Sequence, residues 1–159
     1  MMKSPVIVLV SVTVALCICV FGSSVGADEG QVKAAVIAIV KDGLEKLRNG
    51  DPRGITDACA EGVTYYSVEQ DSLLVGRQAL VELYGPPTNQ TYYDHFDLIN
   101  PTVQTHGDVA VVAFDFASFS TEDDSQLRTR WRGTYVLARI DDGWRILHIH
   151  WTLLANNLQ

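Results

Sequence analysis

Asp115 is the only charged residue between Val109 and Phe119, in a run whose other members are apolar or small. A carboxylate among apolar neighbours has its ionised form disfavoured, which is how many general acids and bases are made. Asp115 is therefore a candidate for proton transfer, and the competing expectation is an ion pair with Arg130 or Arg132. His148 and His150 flank Ile149 and share one face if the run is a strand. That spacing serves some strand-borne metal sites, but zinc needs at least a third ligand, and His95 and His106 carry no supporting spacing. No metal is expected. His150 is a second proton-transfer candidate, and the alternative for both imidazoles is a polar stripe with Arg130 and Arg132, where a partner subunit would dock.

Three large aromatic residues, Trp131, Tyr135 and Trp151, could wall a pocket for a small apolar ligand or simply fill a core. Tyr65 and Tyr66 fall on opposite faces of an earlier strand, and either hydroxyl could orient a ligand; Tyr66 is the one placed with the pocket. No Ser/His/Asp order, glycine-rich phosphate loop or paired catalytic carboxylate is legible, and no cofactor is expected. Asn89-Gln90-Thr91 is a glycosylation sequon, relevant only in a eukaryotic source.

The residues around these groups read as a hairpin. Arg130 to Ile140 and Trp144 to Leu153 are rich in aromatic and β-branched residues, and Asp141-Asp142-Gly143 joins them, with Gly143 expected to supply a positive φ. Pairing about Asp142 sets Tyr135 beside Ile149 and Gly133 beside Trp151. It puts Leu147, Ile149, Trp151 and Leu153 on one face and Trp144, Ile146, His148 and His150 on the other. Carried into the preceding hairpin, with an acidic turn from Thr121 to Ser125, the same bookkeeping adds Asp115, Ala117 and Phe119 to the aromatic face. Neither face is simply polar, so each side of the sheet needs cover from a helix, a ligand or a second subunit.

Upstream, Val32, Ala35, Val36, Ile39, Val40, Gly43, Leu44 and Leu47 recur at helical spacing behind a possible cap at Asp28 and before the stop at Asn49-Gly50. Asp51-Pro52 starts a short helix to about Ala60. Strands follow at Val63 to Val68 and Leu73 to Val75, then a third helix from Gly76 through Tyr84, stopped by Gly85-Pro86-Pro87. Long strands from about Tyr92 to His106, bent near Asn100-Pro101, and from Val109 to Ser120 complete an α+β layout.

Lys3, the apolar run Val6 to Val20 and the small residues near Ala27 form a cleavable export signal over residues 1–27, leaving one domain at 28–159. The apolar run falls short of the ~20 residues that span a bilayer. A secreted or periplasmic protein is expected, with no membrane attachment after cleavage. Cys59 alone then remains, so no internal disulfide can form. The whole chain carries a net charge of −7, and loss of Lys3 makes it one unit more acidic, which argues against nucleic acid and anionic membrane partners.

The element order, the Gly76-Arg77 helix start, Asn100-Pro101, Gly107-Asp108 and the closing Asp-Gly-Trp-Arg-Ile-Leu-His-Ile-His-Trp-Thr resemble the nuclear transport factor 2-like superfamily. Within it the chain is similar to SnoaL-like proteins and to the association, or hub, domain of calcium/calmodulin-dependent protein kinase II. The resemblance implies a cone-shaped, curved antiparallel sheet wrapped by three N-terminal helices, a pocket at the open end, and homodimers or larger assemblies formed through the sheet. Arginines line the hub domain's pocket; ungapped matching of the last strands puts Ala117, Tyr135 and Trp151 at those positions. A methyl and two aromatic rings in place of three cations imply an apolar ligand rather than an anion. Three functions are consistent with the resemblance. The first is an exported, oligomeric binder of a small apolar molecule; the second a proton-transferring enzyme of the SnoaL or ketosteroid-isomerase type acting through Asp115 or His150; the third an assembly module.

Overall fold

A computed structural model describes residues 29–68, 70–88, 90–122 and 125–154. The leader, the Asp28 cap and Asn89 of the sequon lie outside them. Three helices, α1 (Glu29–Arg48), α2 (Arg53–Thr56) and α3 (Arg77–Tyr84), accompany six strands. These are β1 (Cys59–Tyr66), β2 (Leu74–Val75), β3 (His95–His106), β4 (Val109–Glu122), β5 (Ser125–Ile140) and β6 (Gly143–Leu154), in the sheet order β2-β1-β6-β5-β4-β3. Neighbours run antiparallel except β1 and β6, which are parallel. The curved sheet does not close on itself, and the result is an α+β, cone-like fold.

One face of this sheet builds the core. Val36, Val40 and Leu44 of α1 recur at four-residue steps, so one stripe of the helix is buried. The stripe packs with Ile55, Val63, Leu80, Val112, Phe114, Phe116, Tyr135, Leu137, Ile146 and Ile149 in a single cluster. This is the inner face. The described helices contribute to that cluster from the inner side, and among the described residues no helix lies over the outer face.

The β5–β6 hairpin meets the expected register by a different route. Its loop holds only Asp141 and Asp142, because Gly143 already pairs with Ile140, and the positive φ falls on Asp141 (53°) rather than on Gly143. A two-residue loop alone would set the register one step away. Leu147 restores it: Leu137 pairs with Ile146 and Val136 with His148, leaving Leu147 as the extra residue of a β-bulge. Tyr135 therefore still meets Ile149, and Gly133 still meets Trp151. Ile146 turns into the core instead of joining the histidines outside.

At the β4–β5 hairpin there is no such compensation. Glu122 pairs with Ser125, so this turn is also shorter than the Thr121–Ser125 loop expected. The even residues of β4 consequently face the odd residues of β5: Phe114 sits opposite Gly133 and Phe116 opposite Trp131. A one-residue change of register moves every side chain of a strand to the other face. Asp115, Ala117 and Phe119 thus belong to the outer face, away from the aromatic wall.

Candidate functional site

The inner face ends in a cavity of about 450 Å3 at the open end of the cone. Leu44 and Leu47 of α1 and Leu83 and Tyr84 of α3 form one side. Tyr92 and Tyr93 arrive from the segment before β3, and Tyr65, Ser67, Phe116, Ser118, Trp131 and Trp151 come from the sheet side. Seven of these twelve lining residues are aromatic, and none is a carboxylate, imidazole, ammonium or guanidinium group. Trp151 stands nearly perpendicular to Trp131 (83°) and to Phe114 (82°), with ring centroids 6.4 and 5.4 Å away. Such edge-to-face contacts stabilise an aromatic cluster beyond area burial, by about 0.5–1.5 kcal/mol per pair.

Two glycines shape this site. A Cβ on Gly133 would lie 2.5 Å from Phe114 Cζ and 3.0 Å from Trp151 Cζ3, so glycine is what lets both rings lie against β5. Gly50, just after α1, has φ +78°, and a Cβ there would meet the carbonyl oxygen of Gln90 at 2.5 Å. The resulting close approach ties the end of α1 to the segment that carries Tyr92 and Tyr93. The amides of Thr88 and Tyr92 donate to the carbonyls of Gly50 and Arg48, and Arg48 donates to the carbonyl of Asp94. The Tyr93 hydroxyl donates to the Leu44 carbonyl at 3.0 Å and fixes its ring over the cavity.

Two of the lining phenols are held neutral. Burial pushes Tyr93 up, and Tyr84, beside Tyr65, well above the ordinary phenol value. Behind the lining, Tyr135 is 1% exposed, its hydroxyl has no hydrogen-bond partner, and its phenol is raised well above the ordinary value, chiefly by burial. The Trp151 side chain pulls slightly the other way as a donor that falls short of hydrogen-bond geometry. Cys59, its Sγ 3.2 Å from the Ile55 carbonyl, is pushed up to about 12 by burial and is an inert core thiol.

The residues singled out in the sequence divide between two places. Trp131 and Trp151 line the cavity, while Tyr135 supports it from the core. Tyr66 is on the outer face, 6.2 Å from the His150 ring; its neighbour Tyr65 takes the inner position, because Tyr65 pairs with Ile149 and Tyr66 with His150. Ala117 is buried on the outer side between Asp97 and Arg130. Asp115 lies there too, 3.4 Å from both Arg130 and Arg132, the ion pair that was the alternative to catalysis. His150 is exposed on the same outer side. Proton transfer by Asp115 or His150 on a cavity-bound molecule would have to pass through the sheet. Among the described residues no group of three or more His, Cys, Asp or Glu could hold a metal ion.

Sequence reasoning weighed Tyr65 but placed Tyr66 with the pocket, and it missed Tyr84, Tyr92, Tyr93, Phe116 and the leucines of α1 and α3 as lining residues. For Phe116 the signal was alternation, misassigned by one residue. Tyr84 and Tyr93 stand at an element end and in a loop, where no periodicity aims a side chain.

The family model described as a SnoaL-like domain matches residues 36–155. No curated protein matches the chain. Among solved structures, one from Parabacteroides distasonis described as a candidate ketosteroid isomerase is 27% identical, with a TM-score of 0.63, over 76% of this chain and 86% of that one. The association domain of calcium/calmodulin-dependent protein kinase II from C. elegans is 21% identical, with a TM-score of 0.67, over 77% and 96%. An NTF2-like protein of unknown function from Pseudomonas putida is 20% identical, with a TM-score of 0.66, over 79% and 89%. The last two likenesses establish the fold alone.

Proposed function

This chain belongs to the SnoaL-like domain family, and from that premise we propose that it is an exported binder of a small, uncharged, largely apolar molecule held in the open end of the cone. The observation that carries the reading is the lining: seven aromatic residues, three leucines and two serines, with no charged group among the described residues. Anion binding would need compensating cations in a desolvated site, and general acid–base catalysis would need a titratable group within reach of the reacting atom. The described lining offers no cation, and its titratable groups are phenols, two of which, Tyr84 and Tyr93, burial holds neutral. Its phenols and serines can orient a carbonyl or hydroxyl, and its rings and leucines favour a flat apolar body. Export rests on the composition of residues 1–27.

Titration of the purified chain with uncharged polycyclic compounds and their carboxylate analogues, followed by tryptophan fluorescence, tests this reading. Neutral members are expected to change the emission of Trp131 and Trp151, and Trp131→Ala to weaken that response by about tenfold, which is about 1.4 kcal/mol. A response confined to the carboxylates, or none to any neutral compound, overturns it.

Self-association through the outer face is a second role, favoured by a separate observation. The centre of that face carries half-buried Val111, Ala113, Thr134, Val136 and His148, with none of the described helices over them. Beside them Asp115 is shared loosely between Arg130 and Arg132, leaving both signs of charge available. A two-fold pairing would set the guanidinium groups of one copy against the carboxylate of the other and cover the apolar centre. A solved relative of the fold is named an association domain, which fits that reading. Light scattering checks it, a dimer or larger species being expected.

A further inference from the structure

On β6, between β1 and β5, two imidazoles stand on the outer face that the ligand reading leaves unused. His148 Nδ1 is 2.7 Å from Thr64 Oγ1, the His148 and His150 rings are 6.5 Å apart, and Tyr66 stands 6.2 Å from His150. Across the ladder on β5 their partners are Val136 and Thr134, which carry no charge. The charged groups nearby are Arg130 and Arg132 on β5, which hold Asp115 on β4, and Arg145, which donates to the Asp57 carbonyl. On the β1 side Glu61 is engaged by Arg77. Among the described residues no carboxylate comes within ion-pair distance of either imidazole, so nothing on this face rewards their protonation.

We propose that self-association through this face is proton-linked: the assembly forms with His148 and His150 neutral and comes apart as they take up protons below about pH 6. The inference rests on the self-association reading above. In an isologous contact each patch meets its own copy, so two protonated histidines per chain become four charges in one interface that already holds guanidinium groups in excess of Asp115. Covering an imidazole also disfavours its charged form. His148 lies below its ordinary value within the single chain, first through burial and then through His150. A further drop on association means the free chain binds more protons than the assembled one. Association is then at full strength where the free chain's imidazoles are already neutral and weakens as pH falls and the free chain takes up protons.

Sedimentation equilibrium of the purified chain at about pH 7.5 and about pH 5.5, at one ionic strength, decides the matter. The expected result is a dissociation constant at least about tenfold larger at the lower pH, with near-UV circular dichroism unchanged. His148→Asn combined with His150→Gln should remain associated at both, its constant changing by less than about threefold. His150→Gln alone, at an exposed position that folding does not depend on, should remove about half of the logarithmic shift. Equal constants at the two pH values, equal sensitivity in the variants, or loss of tertiary signal in step with dissociation would overturn the proton link while leaving self-association standing. A chain that is monomeric at both values removes the self-association reading, leaves the face to some other partner, and ends the proposal.

Discussion

The two faces of one sheet, built from alternate residues of the same strands, have nearly opposite chemistry. The inner side of β4 and β5 reads Val112, Phe114, Phe116, Trp131, Gly133, Tyr135; the outer side reads Ala113, Asp115, Ala117, Arg130, Arg132, Thr134. The inner face is aromatic and largely buried, with a cavity lined by Trp131 and Trp151. The outer face holds the ion pairs of Asp115 and the two histidines of β6, and none of the described helices covers it. On the proposed reading, binding specificity would lie in the shapes and faces of rings, and charge-dependent association on the other side, where titration would leave the pocket unaltered.

Substitutions on each face can break that contrast. Trp151→Ala removes the ring that touches Phe114, Phe116, Trp131 and Tyr135, and should lower unfolding stability in urea by about 3–5 kcal/mol. A loss below about 1 kcal/mol would show that the inner face is loosely packed. Gly133→Ala is expected to cost about 1–3 kcal/mol by overpacking, because the new methyl would press on both Phe114 and Trp151. The same variant should also bind neutral ligands more weakly, since Trp151 can yield only by moving toward the cavity. Gly50→Ala should cost about 1–2 kcal/mol through backbone strain and the contact with Gln90, with a lower melting temperature as the readout.

On the outer face, Asp115→Asn should change stability by less than about 1 kcal/mol, as expected for a partly exposed pair, and leave ligand affinity unaltered. A measurable loss of neutral-ligand binding in that variant would mean the two faces are coupled. The smallest effect is expected at Tyr135→Phe. Removing a buried hydroxyl that has no partner should be neutral or stabilise by up to about 1 kcal/mol, and a clear loss in a denaturation curve would reveal a partner that the geometry does not.

Periodicity made the elements legible, and turn length decided where legibility stopped. The stripe of α1 from Val36 to Leu44, the stop after Tyr84 and the bend in β3, where the register shifts between Ile99 and Thr102, all follow from local spacing and from glycine and proline. The pairing of Tyr135 with Ile149 was legible as well, although a short loop and a bulge at Leu147 combine to produce it. The side occupied by Asp115 was not. It depends on one residue more or fewer in the turn after Glu122, and local composition there does not distinguish the two. The choice between Tyr65 and Tyr66 rested on the parallel partner β6, whose contact with β1 joins residues 83 and 84 positions apart.

Alternation of apolar with polar residues, helical stripes and the glycine and proline stops were enough to determine an α+β chain whose sheet needs cover on both sides, because each element's period is set by its own backbone geometry. Which alternate residues face inward, and hence that the cavity is uncharged, was decided only in the tertiary structure. Strand register is a relation between distant segments, chosen by the packing of Phe114 against Gly133 and of α1 against the sheet rather than by the residues of either strand alone.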